Sequence, residues 1–169
     1  MTRNLVKKEV LDTAALISWP VGRMKGCYAT PSQKIELYKI YPKKEIEIES
    51  ANLIWLESDE KSFQIATKLA EETGDMAGLS KIDLRILALS IFVSGTLITD
   101  DYRLQNLAQN AGINWETVST DGITKIWKWE LRCTACKKIH AQPKKPNPKK
   151  SDWGICQDCG SKLKLKKIE

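Results

Sequence analysis

Short apolar runs and longer amphipathic segments alternate along the first two thirds of the chain. Brief runs of apolar and β-branched residues predict strands, and apolar residues at helical spacing predict helices. The predicted strands cover 9–13, the apolar part of 45–57, 96–99 and 114–118. The predicted helices cover 14–17, 31–37, 60–70, 84–93 and 102–111. This alternation predicts an α/β domain with a central parallel sheet flanked by helices.

Residues that start and stop helices support these boundaries. The Thr-Pro pair at 30–31 predicts an N-cap followed by proline in the first turn. Ser80, with Asp83 three residues later, predicts a capping box. Pro20 and the nearby Gly22 predict the end of the first helix.

Composition and charge divide the chain into two domains. With 169 residues, 42% of them hydrophobic, the chain is long enough for one medium domain and one small one. Residues 1–124 carry 14 Lys and Arg against 17 Asp and Glu, whereas residues 125–169 carry 13 against 4. We therefore expect an α/β domain at 1–124 and a strongly basic small domain at 125–169.

No membrane segment or signal peptide is expected. No run of about 18 apolar residues occurs, which is the length that a membrane helix requires. The first residues lack the apolar stretch of a signal peptide. These observations predict a cytoplasmic protein.

Four cysteines form two C-x-x-C pairs in the basic domain. Cys133 and Cys136 make the first pair, and Cys156 and Cys159 make the second after nineteen intervening residues. This spacing is typical of a tetrahedral zinc site, and four sulfur ligands leave no open position for catalysis. A redox pair and disulfides are the alternatives, but a reducing compartment favours a structural zinc.

The basic domain also carries candidate contacts for nucleic acid. The predicted RNA-binding residues are Lys144, Lys145, Lys149, Lys150 and Trp153. The lysines lie in a proline-rich loop and can contact phosphates, while the tryptophan can stack on an unpaired base. Trp127 and Trp129 alternate in a predicted strand, and we expect them to pack between the two domains.

Acidic residues recur where predicted strands end or predicted helices begin. They are Asp12, Asp83, Asp100 and Asp101, and Glu36, within the helix predicted at 31–37, could reach the same edge of the sheet. The carboxyl ends of parallel strands meet at one edge of a sheet, and carboxylates gathered there could hold Mg²⁺ or Mn²⁺. The alternative is that each acid is a helix cap or a solvated helix residue.

Other catalytic chemistries are excluded by missing residues. His140 is the only histidine, which excludes a paired-histidine ribonuclease and argues against a Ser-His-Asp triad. Neither a G-x-x-x-x-G-K-[ST] nor a G-x-G-x-x-G motif is present, so no nucleotide cofactor is expected. An enzyme that acts on phosphates with these residues would use metal ions.

Four segments of the chain together resemble the motifs of a PIN-domain nuclease. They are VLDTAALI at 10–17, YATPSQKIEL at 28–37, LSKIDLRILAL at 79–89 and ITDDYRLQN at 98–106. A PIN domain followed by a zinc ribbon is similar to the Nin-one-binding family of ribosome-assembly endonucleases in its archaeal form. One departure is the stretch 33–35 before Glu36, which is more polar than the family pattern.

The resemblance implies a metal-dependent endoribonuclease that matures the 3′ end of small-subunit rRNA from its precursor. It implies that Asp12, Glu36, Asp83 and one or both of Asp100 and Asp101 hold Mg²⁺ or Mn²⁺, with the pre-ribosomal small subunit as partner. A general PIN ribonuclease, a non-catalytic RNA-binding assembly factor and a zinc-ribbon DNA-binding factor are the alternatives.

Overall fold

Five parallel strands form the first sheet, one more than the alternating pattern predicts. The computed structural model describes residues 7–119, 128–145 and 152–168. The strands of this sheet are β1 (Glu9–Leu11), β2 (Tyr28–Ala29), β3 (Ile54–Trp55), β4 (Thr96–Ile98) and β5 (Trp115–Glu116). They lie in the order β3-β2-β1-β4-β5, and every neighbouring pair is parallel. The chain order therefore reverses between β1 and β4.

The helices of the described residues connect these strands. They are α1 (Thr13–Ser18), α2 (Val21–Met24), α3 (Pro31–Ile40), α4 (Glu45–Ser50), α5 (Glu60–Thr73), α6 (Lys81–Val93) and α7 (Tyr102–Asn110). Two 3₁₀ turns, Pro42–Lys44 and Met76–Gly78, join α3 to α4 and α5 to α6. No helix in the described part of the chain has both the length and the apolar character needed to cross a membrane.

Each face of the sheet has its own core. Val10 of β1 and its neighbour Leu97 of β4 pack with residues of α5, α6 and α7. The next pair, Leu11 and Ile98, points the other way and packs with residues of α1 and α3. Alternate strand residues thus fill two cores, which confirms the predicted α/β architecture of a parallel sheet between helical layers.

The predicted starts and ends of helices are confirmed. Thr30 and Gln33 form a capping box at the start of α3, and Ser80 and Asp83 form another at the start of α6. The first helix ends at Ser18, before Pro20 as predicted, and Pro20 is also the N-cap of the separate helix α2, which was not predicted. Proline at this place costs no helical hydrogen bond, because the N–H groups at the start of a helix have no acceptor within the helix.

The strand predicted around 45–57 is largely wrong. Glu45–Ser50 forms helix α4, and the strand β3 is limited to Ile54–Trp55. The Glu-Ile-Glu-Ile-Glu repeat alternates as a strand would, but Ile46 is 83% exposed and does not belong to a buried face. Glutamate favours helices, and acids in a first helical turn are stabilised by the helix dipole.

A second sheet of three antiparallel strands carries the cysteines. Its strands are β6 (Lys128–Cys133), β7 (Ile139–His140) and β8 (Leu163–Ile168), in the order β7-β6-β8. We call residues 128–145 and 152–168 together the ribbon. The predicted domain boundary at residue 124 lies outside the described residues, so it stays a prediction.

The ribbon contacts the α/β domain where β6 meets α7. The guanidinium of Arg103 lies over the ring of Trp129, 4.1 Å from its centroid. The side-chain amide of Gln142 donates to the carbonyl oxygen of Trp129. A Cβ at Gly74 would lie 2.5 Å from that oxygen, so a glycine here allows the close approach. Trp129 therefore packs between the domains as predicted, while Trp127 lies outside the described residues.

Candidate active site and metal centre

The ends of β1 and β4 bring three of the predicted acids together. Asp12 directly follows β1, and Asp100 and Asp101 follow β4 after Thr99. The two strands are neighbours, with Leu11 paired to Ile98. Because the strand order reverses between β1 and β4, these acids lie at the position where open parallel sheets bind ligands.

Asp12 is the most buried of these acids. It is 6% exposed, and its Oδ1 accepts the backbone N–H of Ala15 at 2.8 Å, which caps α1. Burial raises the pKa of Asp12, and the negative charges of Asp100 and Asp101 raise it further. Hydrogen bonds from Thr99 and Ala15 act in the opposite direction. The three carboxylates therefore repel one another, and a cation between them would relieve that repulsion.

Asp100 and Asp101 make different use of their oxygens. The carboxylate of Asp100 accepts the backbone N–H of Val118 at 2.7 Å and the hydroxyl of Ser119 at 2.8 Å. Asp101 caps α7, because its Oδ1 accepts the backbone N–H of Arg103 at 2.8 Å. Asp100 thus fixes the segment that follows β5, whereas Asp101 uses one oxygen for a helix cap.

Thr99 connects the two strand ends. It is fully buried, its hydroxyl hydrogen-bonds Asp12, and its Oγ1 accepts the backbone N–H of Asp101 at 3.0 Å. The side-chain amide of Gln105 donates to the carbonyl oxygen of Thr99 at 2.9 Å. These contacts hold Asp12 and Asp101 in fixed positions relative to each other.

Asp83 and Glu36 lie on helices, α6 and α3, and not directly after strands. Asp83 is half-buried, and its Oδ2 accepts the backbone N–H of Ser80 at 2.7 Å in the capping box of α6. Glu36 is half-buried on α3, one turn after Gln33. In the described part of the chain, no three acids have carboxylate oxygens all within 4.8 Å of one another. The acids therefore lie farther apart than the four thiols described below.

Gln33 explains why the stretch before Glu36 is polar. Its Oε1 accepts the backbone N–H of Thr30 at 2.8 Å, and its Nε2 donates to the carbonyl oxygen of Leu11 at 2.9 Å. Gln33 is fully buried, so both ends of the amide are satisfied inside the protein. Since residues three apart share a helix face, Glu36 lies on the side of α3 that Gln33 attaches to β1, immediately before Asp12.

The four predicted cysteines form one compact cluster. The sulfurs of Cys133, Cys136, Cys156 and Cys159 all lie within 4.8 Å of one another. The Cys133–Cys159 and Cys136–Cys156 sulfur separations are 3.3 Å and 3.7 Å. Tetrahedral zinc with Zn–S bonds of about 2.3 Å requires sulfurs about 3.8 Å apart, so the cluster fits such an ion. A backbone hydrogen bond from Ser161 lowers the pKa of Cys159.

The two C-x-x-C segments have matching backbones. The residue after each second cysteine, Lys137 or Gly160, has a positive φ, 64° or 73°. In each pair the first cysteine's backbone N–H donates to a carbonyl beyond the turn, Lys138 for Cys133 and Ser161 for Cys156. Two equivalent turns thus present two sulfurs each, as in a zinc ribbon.

Comparison with known proteins identifies the family. A family model described as the PIN domain of ribonuclease matches residues 10–93. Endoribonuclease Nob1 of Methanothermobacter thermautotrophicus is 28% identical over 95% of this chain and 93% of its own length. Endoribonuclease Nob1 of Pyrococcus abyssi is 33% identical over 70% of this chain and 68% of its own length. The chain belongs to the Nob1 family of PIN-domain endoribonucleases. Ribonuclease VapC1 of Thermoplasma acidophilum is also similar, at 31% identity over 92% of this chain and 76% of its own length.

As a Nob1-family endoribonuclease with a zinc ribbon, the chain acts on RNA. Of the residues predicted to bind it, Lys144 and Lys145 are exposed, and Trp153 is half-buried beside the ribbon sheet. Lys149 and Lys150 lie outside the described residues.

Two important residues were not predicted from the sequence. Asp75 is fully buried and accepts hydrogen bonds from Thr73, Arg103 and Asn106. Arg103 joins this carboxylate to Trp129 of the ribbon and also donates its backbone N–H to Asp101. A buried aspartate has no local sequence signal, because its partners come from distant parts of the chain. The connection between the acids at the strand ends and the ribbon is therefore visible only in the structure.

Proposed function

We propose that this chain matures the 3′ end of 16S-type rRNA from its precursor, as a metal-dependent endoribonuclease acting on the pre-ribosomal small subunit. The likeness to the Methanothermobacter Nob1 protein carries the proposal, because it spans 95% of this chain and 93% of that relative. A match restricted to the PIN domain would support no more than a general ribonuclease. A cytoplasmic location remains a prediction from the sequence.

The acids at the ends of β1 and β4 are the proposed ligands of the catalytic ion. Asp12, Asp83 and Asp101 would hold Mn²⁺ or Mg²⁺, with Asp100 and Glu36 close to them, because hard divalent ions prefer carboxylate oxygens. Burial raises the pKa of Asp12 most, and repulsion from Asp100 and Asp101 adds to this rise; that repulsion supports a cation at this place. The bound ion would lower the pKa of a water molecule and neutralise charge that develops on the phosphate.

Asp101 is the proposed inner ligand of the Asp100–Asp101 pair. The carboxylate of Asp100 already accepts from the backbone of Val118 and from Ser119, whereas the cap of α7 uses only Oδ1 of Asp101. Thr99 contacts the side chain of Asp12 and the backbone N–H of Asp101, so it connects the Asp12 carboxylate to the backbone of Asp101.

The proposed reaction is hydrolysis without a covalent intermediate. A water oxygen forms a bond to phosphorus while the bond from phosphorus to the 3′ oxygen breaks, and the 3′ oxygen takes up a proton. The products carry 5′-phosphate and 3′-hydroxyl ends. The carboxylates of this chain repel RNA, so its affinity must come from the basic ribbon.

In the ribbon, we assign zinc to the four thiols and RNA binding to the lysine-rich surface. Four sulfur ligands complete the coordination of zinc, so this ion stabilises the ribbon and takes no part in the reaction. Lys144, Lys145, Lys149 and Lys150 would contact phosphates, and Trp153 would stack on a base.

Asp12→Asn tests the proposed catalytic role. The assay uses full-length protein, an RNA that spans the precursor 3′ junction, and Mn²⁺ or no added divalent ion. We expect the wild type to cut at one position only with Mn²⁺, and Asp12→Asn to bind the RNA without cutting it. Asp59→Asn is the matched control, because Asp59 is also an N-cap aspartate but belongs to α5. Wild-type cleavage by Asp12→Asn in Mn²⁺ would refute the assignment.

The same assay separates the alternatives. Tight binding without cutting by the wild type would indicate a non-catalytic assembly factor. Equal cutting of unrelated RNAs would indicate a general ribonuclease, a second candidate favoured by the alignment with Ribonuclease VapC1 over 92% of this chain. Zinc content should be measured in every sample, so that loss of the structural ion is not mistaken for loss of the catalytic one.

A further inference from the structure

A groove of about 450 Å³ lies where the ribbon meets α7. Two tryptophans, Trp129 and Trp153, line it together with Leu163 of β8. Cationic side chains, among them Arg103 and Lys164, line the same groove. Aromatic surface bordered by cations suits a flat base that is attached to phosphates.

The inner wall of this groove is held rigidly. Arg103 lies over the ring of Trp129 at 4.1 Å and forms an ion pair of 3.2 Å with the buried Asp75. A Cβ at Gly78 would lie 2.8 Å from Cδ of Arg103, so the glycine makes room for that side chain. The wall therefore does not need to be ordered when a ligand binds, which reduces the entropy lost on binding.

The outer wall is tied to the edge strand β8. Trp153 is half-buried, and the carbonyl oxygen of the following residue, Gly154, accepts the backbone N–H of Leu163 at 2.9 Å. Ile155 and Lys162 form a further β-bridge. The segment that bears Trp153 is thus paired with residues at the start of β8. The turn that carries Cys156 and Cys159 connects the two.

A second groove of about 360 Å³ lies along strands β6 and β8. The two share Thr134, Lys164 and Leu165 in their walls. Lys137 and Lys166 also line the second groove, so it is strongly cationic. An RNA strand that places a base in the first groove could therefore lay its phosphates along the second.

We propose that the groove between α7 and the ribbon binds one unpaired RNA base, which stacks on Trp153, while Lys164 contacts an adjacent phosphate. This proposal rests on the proposed function in taking RNA as the ligand, and it adds a site for a single-stranded nucleotide. The charge of the ribbon supports RNA as the occupant, because residues 125–169 carry 13 Lys and Arg against 4 Asp and Glu. A duplex keeps its bases stacked, so it could not fill the groove.

The test compares single-stranded RNA with a duplex of the same sequence. Fluorescence anisotropy of a labelled RNA of about twelve nucleotides is measured with full-length protein and no added Mn²⁺ or Mg²⁺. We expect Trp153→Ala to weaken binding of the single strand about 5- to 100-fold, and to leave duplex binding unchanged. Trp153→Phe should retain most of the affinity. Trp19→Ala is the control, because Trp19 is a half-buried tryptophan under an arginine, Arg23, in the α/β domain.

Salt dependence tests the phosphate contact. Lys164→Gln should reduce the slope of log affinity against log salt by about 0.7 for a single strand. Lys68→Gln, on the exposed face of α5, should leave the slope unchanged. Wild-type affinity of Trp153→Ala for the single strand, or an equal loss for the duplex, would overturn the base site.

The binding assay and the cleavage assay test the two proposals separately. A loss of single-strand affinity in Trp153→Ala, with no cutting of the precursor junction by the wild type, would leave the base site standing and refute the rRNA-processing function. Specific cutting by the wild type, with no effect of Trp153→Ala on binding, would refute the base site alone.

Discussion

Replacing Asp75 with alanine should destabilise the α/β domain and loosen its contact with the ribbon. Asp75 is fully buried, and its carboxylate accepts the hydroxyl of Thr73 at 2.7 Å, the amide of Asn106 at 2.8 Å and the guanidinium of Arg103 at 3.2 Å. Burial raises the pKa of Asp75, while these three donors favour its charged form. Alanine would remove the acceptor that all three donors share.

The expected loss follows from the burial of both charges. Removing one partner of a buried ion pair destabilises a protein by about 3–5 kcal/mol, because the other charge stays buried. The side chain of Arg103 is 20% exposed and keeps its contact with Trp129, so we expect the lower end, about 3 kcal/mol. Asp75→Asn keeps the volume and one acceptor oxygen, and should cost about 1–2 kcal/mol.

Urea unfolding followed by circular dichroism measures these losses. Glu57→Ala is the control, because Glu57 pairs with Arg85 at 3.1 Å with side chains 43% and 46% exposed. An exposed pair of this kind contributes about 0–1 kcal/mol. A loss below about 1 kcal/mol for Asp75→Ala would refute the reasoning that the buried pair stabilises the fold.

Gly78→Ala tests the same contact without removing a charge. A Cβ there would meet the side chain of Arg103, including Cδ at 2.8 Å, and would push it from its place beside Asp75. Overpacking of this kind typically costs about 1–3 kcal/mol. If Gly78→Ala unfolds at the same urea concentration as the wild type, Arg103 is not held tightly at this position.

Two further predictions concern single side chains of the α/β domain. Glu9 accepts two hydrogen bonds from Arg23, at 2.6 and 2.9 Å, and they lower the pKa of Glu9 in the folded state, so Glu9→Gln should cost about 1 kcal/mol at pH 7. That difference should begin to fall below about pH 4.3, where glutamate in the unfolded chain takes up a proton, and should be lost once the pH is below the lowered pKa of folded Glu9. A constant difference in urea unfolding down to pH 3 would contradict it. Burial raises the pKa of Cys27 to about 11, so after zinc removal four thiols should react with Ellman's reagent and Cys27 only in urea. Five reactive thiols in the folded, zinc-depleted protein would contradict this.

Local sequence signals predicted the parts of the fold that depend on local physics. The capping boxes at Thr30 and Ser80 and the two C-x-x-C turns were readable, because each is defined by residues a few positions apart. Helix α4 could not be predicted, because the alternation of residues in Glu45–Ser50 is typical of a strand. In the structure, only Ile48 of this segment is buried. Strand β2, with two residues, is too short to leave a periodic signal.

In the candidate site, too, local features could be predicted from the sequence and long-range contacts could not. The sequence places Asp12, Asp100 and Asp101 at strand ends, and the pairing of β1 with β4 brings them together. The sequence does not predict that Asp100 holds the segment after β5, because the partners of Asp100, Val118 and Ser119, are about eighteen residues away. Contacts between distant segments depend on the whole topology, so they are absent from any local pattern.

Arg103 gives the Asp75→Ala prediction a consequence for catalysis. Its backbone N–H caps α7 by donating to Asp101 at 2.8 Å, while its side chain contacts both Asp75 and Trp129. Movement of that side chain in Asp75→Ala would therefore be transmitted to the turn that positions Asp101. Because effective catalysis requires carboxylates held to within about 0.5 Å, we expect cleavage at saturating RNA to fall in the folded variant. The assay is run without urea, at a temperature where Asp75→Ala is folded. Full cleavage activity of Asp75→Ala would show that the ribbon contact and the proposed catalytic acids are independent.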